Sequence, residues 1–279
     1  MSAVLCTLVL NEMEWLPKLY EQHRNWQDIK KWIFVEAADF MYAEANPTLV
    51  TDKGLSVDGT TEFLMQIARQ DKNVLYIPYG VSTSTNKASG KCAARQAYLN
   101  ICEDIKPDFV YILDADEFYT HIHQIMLNTI TMRNVNARHT AFILRQRSIW
   151  HPPGAKDVPL FTHEVVGGFW DIKHCHIFRW FPGMKYTDSH NHPNVDMRRA
   201  TDLTTRRDAP YFIHMACAAD VDIRHAKNAY YAIRGEADDP RRKKYVESRA
   251  AFETWQPGVQ LPGDAKVIRY TGEIPEVFK

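Results

Sequence analysis

The chain has 279 residues, 45% hydrophobic and 24% charged, which is ordinary for a globular protein and enough for one large domain or two small ones. Lys+Arg and Asp+Glu both number 34, so gross charge gives no reason to expect a nucleic-acid or membrane partner, although a local basic patch is compatible with it. The cysteines Cys6, Cys92, Cys102, Cys175 and Cys217 are odd in number and lack paired spacing, which speaks against a disulfide framework and for a reducing, cytoplasmic setting. The run AVLCTLVL (3–10) has no basic residue before it. It is too short for a signal segment with flanks and far too short to span a bilayer.

That run is instead the first predicted strand, apolar on both faces as in a parallel sheet, and it ends at Asn11. Trp15, Leu16, Leu19, Tyr20 and His23 recur at helical spacing, with Pro17 in the first turn. KWIFVEA (31–37) is a second strand, and TTEFLMQIARQ (60–70) is a helix entered through Asp58-Gly59-Thr60. VLYIP (74–78) is a third strand, stopped by Pro78. A long helix follows over 87–105, then a fourth strand, DFVYILDADEF (108–118). Strands alternating with helices imply βαβ units, a parallel sheet, and strand C-termini gathered on one ligand-binding edge.

After residue 120 the rhythm breaks. TAFILRQRSIW and CHIFRWFPGMKY read as strands separated by loops rich in Pro, Gly and His, and VDIRHAKNAYYAIRGEA and RRKKYVESRAAFETW as two polar-faced helices. With no Gly/Ser/Pro-rich connector near 120, the expectation is one domain, 1–279, with a regular half (1–120) and an irregular half (121–279).

The fourth strand ends in Asp114, Asp116 and Glu117. Asp114 and Asp116, two apart on a strand, point to the same side and reach the ligand edge. Two carboxylates there repel one another unless a positive group joins them. A hard divalent cation answers that need, and capping or solvation of a loop is the other reading. Competing uses of Asp-x-Asp fit less well. An aspartyl phosphatase wants Thr or Val where Phe118 stands, a chitinase-type barrel wants further acids where Tyr111, Ile112 and Leu113 stand, and a nucleotidyltransferase wants glycines where NEMEW follows the first strand.

Several segments in order resemble the GT-A glycosyltransferases of the family-2 type. They are LVLNEMEWL, Glu36 closing IFVEAAD, Asp58-Gly59-Thr60, NKASGKCAARQAY (86–98) with Gly90 and Arg95, and Asp114-Ala115-Asp116. IFRWFPGMKYTDSHNHP and FIHMACAADVDIRHAKNAYY follow. Where relatives show His-Glu, this chain has His190-Asn191, and its segment 37–57 is longer than the usual connection. The resemblance implies an α/β fold with a mostly parallel central sheet and an irregular acceptor-side half.

It also implies a nucleotide-sugar donor, a hydroxyl acceptor and transfer with inversion. Asn11, Glu36, Asp58, Arg95, Asp114 and Lys227 would bind the donor, Glu36 by accepting from a pyrimidine N–H, which favours a UDP-sugar. Asp116 would ligate the cation with His214, and a nitrogen ligand favours Mn²⁺ over Mg²⁺. Protonation of such a ligand would compete with the cation where an ordinary histidine titrates.

The acceptor hydroxyl must lose a proton, and Asp188 and His190, ahead of His163 and Glu164, are the candidate bases. HCH (174–176) and HNH (190–192) lack the paired spacing of structural zinc. Trp150, Trp170 and Trp180 suit sugar stacking or core packing. A glycan, small molecule, protein or modified DNA base are all possible acceptors, the last through Arg198-Arg199, Arg206-Arg207 and the 241–244 run, which otherwise reads as a solvated helix start. A non-catalytic carbohydrate-binding protein and a nucleotidyltransferase are the alternatives.

Overall fold

The computed structural model describes residues 1–82, 89–150, 161–165, 168–169, 172–187, 192–206, 208–217, 265–269 and 273–278. The first half alternates as the pattern demands: β1 (Ala3–Val9), α1 (Leu16–His23), β2 (Ile29–Asp39), α2 (Phe40–Ala45), α3 (Thr60–Gln70), β3 (Val74–Ser82), α4 (Ser89–Ile105) and β4 (Phe109–Ile112). Its strands lie side by side as β3-β2-β1-β4, all parallel. β1 explains the continuous apolar run. Ala3, Leu5 and Val9 enter one core with α1 and α3, while Val4 and Cys6 enter another with Cys92, Tyr98, Leu99 and Cys102 of α4. The sheet is therefore covered on both faces.

The second half supplies β5 (Glu117–Phe118), α5 (His121–Asn134), β6 (Ala141–Trp150), β7 (Phe161–Val165), β8 (Gly168–Phe169), β9 (Ile172–Arg179), β10 (Thr201–Asp202), β11 (Tyr211–Cys217) and β12 (Ala265–Arg269). The sheet continues across residue 120 without interruption, from β4 through β9, β6 and β7 to β12. β9 is antiparallel to both β4 and β6. β11 runs parallel to β6 and pairs antiparallel with β5. Among the described residues no helix is long and apolar enough to cross a membrane.

Three readings are corrected. β3 does not stop at Pro78 but continues to Ser82. Pro78 sits opposite Glu36 at a register shift on the sheet's edge strand, where a missing N–H costs no ladder bond. The fourth strand is not continuous. β4 ends at Ile112 and the acids form a turn closed by Glu117 N–H donating to Asp114 O at 3.0 Å, so strand alternation does not orient Asp114 and Asp116. Helix α5 was not foreseen, because its buried side includes His123, Gln124 and Thr131 while Ile122, Ile125 and Met132 are exposed. The two helices expected within 221–255 lie outside the described residues.

Buried histidines make the fold acid-sensitive. His23 joins α1 to the segment after β5: Nδ1 donates to Leu19 O at 2.9 Å, and Nε2 accepts the Tyr119 N–H at 3.1 Å. Only the neutral ring does both, and burial holds its pKa down to about 4. His123 is likewise held down to about 4, by burial and then by Arg147. The unfolded chain takes up a proton on each as pH falls below about 6.5, and the folded chain refuses it until about pH 4. Stability therefore declines across that window, by up to about 1.4 kcal/mol per pH unit for each ring. Urea denaturation at pH 7 and pH 5 should show the loss, and His123→Gln should reduce the slope; an unchanged slope would contradict the assignment of His123.

Candidate active site

The C-terminal ends of β1, β2 and β4 share one edge, since Val9 pairs with Glu36 and Cys6 with Ile112. Asn11 leaves β1 at φ +53, a left-handed conformation that asparagine tolerates. Its side chain donates to Leu49 O at 2.6 Å and accepts the Val57 N–H at 3.0 Å. Asp58 accepts the N–H of Thr60 through Oδ1 at 3.0 Å and that of Met13 through Oδ2 at 2.9 Å, so it tethers the start of α3 to the loop after β1. Both side chains therefore fasten the 46–58 connection to the sheet edge.

Glu36 departs further from expectation. Its carboxylate is wholly buried. Oε1 accepts from Ser56 N–H at 2.8 Å and from the Thr61 hydroxyl at 2.7 Å, and Oε2 accepts from the Tyr76 hydroxyl. The phenol's pKa is pushed up by burial and by this contact. Among the described residues this carboxylate meets only protein donors; it is a strut that holds β2, β3, α3 and the connection in one arrangement. Ser56, Thr61 and Tyr76, its partners, carried no signal in sequence, because their meeting depends on the path of 46–58.

The acid turn is the other half of the site. Arg95, buried on α4, donates from Nη2 to Asp114 Oδ1 at 2.8 Å, and the Asp114 carboxylate remains about one-third exposed. The β5–β11 ladder pairs Glu117 with His214, and Met215 N–H donates to Asp116 O at 2.7 Å. These bonds bring the Asp116 carboxylate to 3.6 Å from His214 Nε2, although the residues are far apart in sequence. Asp116 is nearly buried, and His214 is partly open at 21%.

Glu117 turns inward. Its Oε2 accepts the Asp114 N–H at 2.9 Å and lies 3.3 Å from His176 Nδ1. Burial, with Asp114 and Asp116 close by, raises the Glu117 pKa well above the carboxylate range. Burial lowers that of His176 to about 3, so this ring is neutral at pH 7. Glu117 thus fixes the turn from beneath. It and His176 were missed as site residues, although the His-Cys-His alternation on a strand does place His174 and His176 on one face, 5.4 Å apart.

Asp114, Asp116, Arg95 and His214 are thus brought together, with Asn11, Glu36 and Asp58 bracing the neighbouring strand ends. Asp188, His190 and Lys227, and the side chains of His163 and Glu164, lie outside the described residues. A carboxylate oxygen and an imidazole nitrogen at 3.6 Å suit a divalent cation that takes its remaining ligands from a substrate's phosphates and water. Among the described residues no cluster of three or more His, Cys, Asp or Glu forms a complete protein cage.

No family model matches the chain, and no curated protein matches it. Among solved structures it is similar to residues 1–349 of S. aureus TarS at 12% identity, over 91% of this chain and 70% of that one, with a TM-score of 0.42. The same TarS fragment in complex with UDP-GlcNAc gives 12% identity over 90% and 71%, with a TM-score of 0.42. Glucosyl-3-phosphoglycerate synthase of Mycobacterium tuberculosis, in complex with Mn²⁺, UDP and glucosyl-3-phosphoglycerate, gives 10% identity over 56% and 45%, with a TM-score of 0.31.

Proposed function

We propose that this chain is a single-domain, GT-A-type glycosyltransferase that moves a sugar from a UDP-sugar to a hydroxyl acceptor with inversion and with a divalent cation, Mn²⁺ before Mg²⁺. The observation that carries the reading is the acid turn at the carboxyl edge of the parallel strands, where Asp116 meets His214 at 3.6 Å and Asp114 is held by Arg95. A cation bound there supplies Lewis-acid neutralisation of the charge that develops on the departing nucleoside diphosphate. The protein's part is to hold the turn rigid. Arg95 fixes one carboxylate from α4, the β5–β11 ladder fixes the other, and Glu117 pins the backbone between them. Asp114, about one-third exposed, is the carboxylate that would accept from a donor hydroxyl or from bound water.

A nucleic-acid acceptor finds no support. Arg198 pairs with Asp196 at 3.0 Å and Arg206 with Asp208 at 3.6 Å, so these guanidinium groups already have anionic partners. A nucleotidyltransferase would release pyrophosphate and a binding module would release nothing, whereas the proposed enzyme releases UDP.

The role of His214 is tested by metal binding rather than turnover. His214→Ala should weaken Mn²⁺ affinity by roughly 10–100-fold while Asp116 sustains residual binding. It should also flatten the decline of affinity on acidification, since a protonated imidazole cannot ligate. A packed core histidine predicts the opposite result: lower stability and unchanged Mn²⁺ affinity. Titrating Mn²⁺ into both proteins at pH 5.5 and 7.5 separates the two.

A further inference from the structure

Resting on the glycosyl-transfer reading above, we propose that His174 is the general base that deprotonates the acceptor hydroxyl, on a wall of neutral polar side chains that suits an uncharged, hydroxyl-bearing acceptor. β9 lies between β4, which leads into the acid turn, and β6. Register fixes what shares its face. His174 is opposite Leu144, Gln146 is opposite Phe212, and Ser148 is opposite His214. His174, His176, Gln146, Ser148, Phe212 and His214 therefore all point to one side of the sheet, the side on which Glu117 meets His176 and Asp116 meets His214.

The imidazoles on this face have different fates. His176 is buried and stacked on Phe212 at 4.4 Å, which leaves it no route to a substrate. His214 is committed to Asp116. His174 is only half-buried and touches His176 and Phe212 by ring contacts alone, at 5.4 and 6.1 Å. Its ring nitrogens make no hydrogen bond or ion pair among the described residues. The charged and titratable groups acting on it are Asp114 from the acid turn, Arg95 from α4 and His176 from its own strand. Burial outweighs the pull of Asp114 and lowers its pKa, so the ring is neutral at pH 7 with a lone pair to accept a proton.

Among the described residues, the side chains beside it on the same face of β6 are uncharged. Gln146 is buried and donates from Nε2 to the Ser148 hydroxyl at 3.0 Å. Arg145 and Arg147 alternate to the opposite face of β6, where Arg147 lies over the Tyr211 ring at 3.8 Å. Amide and hydroxyl groups each donate and accept, as sugar hydroxyls do, so this wall suits a neutral polyol or sugar. In the step proposed, the acceptor O–H bond breaks and its proton passes to a His174 ring nitrogen. The oxygen's electron pair forms the new bond to the anomeric carbon. The bond from that carbon to the diphosphate oxygen breaks, its pair leaving with UDP, and His174 later returns the proton to water.

The test uses the full chain, saturating Mn²⁺, a panel of UDP-hexoses as donors and methyl glycosides as acceptors. His174→Ala and His174→Gln should bind UDP as the wild type does, and release UDP roughly 10²–10⁴-fold more slowly. Sodium azide, a nucleophile with no proton to lose, should restore turnover to His174→Ala and leave the wild type unaffected. Normal turnover in both variants, or slow turnover that azide does not restore, overturns the role of His174 alone. A wild type that neither binds UDP with Mn²⁺ nor releases it from any donor overturns the glycosyl-transfer reading and this inference with it.

Discussion

Asp116→Ala should abolish Mn²⁺-dependent release of UDP from a UDP-sugar while leaving the protein folded. The side chain is nearly buried where its carboxylate meets the partly open imidazole of His214 at 3.6 Å on the ligand edge. Its structural bond, from Met215 N–H, is to the backbone carbonyl, which alanine retains along with the β5–β11 pairing. A lost Lewis acid is worth several kcal/mol, so the fall should be roughly 10³-fold or more. Asp116→Asn, which keeps the shape and loses the charge, should fail nearly as badly. Asp114→Ala should behave differently, because it leaves Arg95 buried without its carboxylate and so should lower stability as well as donor binding. Turnover of Asp116→Ala within a few-fold of wild type would show that the acid turn is a structural feature only.

The second large effect is on stability. Glu36→Ala removes a fully buried carboxylate and leaves the buried Ser56 N–H and the half-buried Thr61 and Tyr76 hydroxyls without their shared acceptor, which should cost about 3–5 kcal/mol. In thermal unfolding that corresponds to a fall of roughly 10 °C for a chain of this size. Glu36→Gln retains an acceptor oxygen and should cost less than half as much. A base-contacting glutamate predicts another pattern: little change in melting temperature and a selective loss of UDP affinity. Melting curves of both variants, with and without UDP, distinguish a strut from a base contact.

The contrast between these two carboxylates shows what was legible in the sequence. β1, β2, α3, α4 and the parallel order of the first half were readable because each element buries its own periodic pattern against the same sheet. The acid triplet stood out because charge at the end of an apolar strand must meet a cation, a cap or solvent. The environment of Glu36 was not, since a residue at a strand end points to an open edge or beneath a loop according to the path of the chain from 46 to 58. The turn at Asp114 was equally hidden. Its backbone is set by Glu117, whose inward orientation depends on His176, and His176 reaches it only because β9 pairs with β4. Helix α5 escaped because polar His123 and Gln124 are buried while Ile122 and Ile125 are exposed, which inverts the usual pattern.

The central claim is that the turn at Asp114–Asp116, with His214, forms a cation-dependent nucleotide-sugar site. Calorimetric titration of UDP into the full chain, with Mn²⁺ and then with excess EDTA, tests it most directly. The account predicts binding that requires Mn²⁺ and is lost in Asp116→Ala. Equal UDP affinity with Mn²⁺ and with EDTA, or no binding of UDP in either, would contradict it.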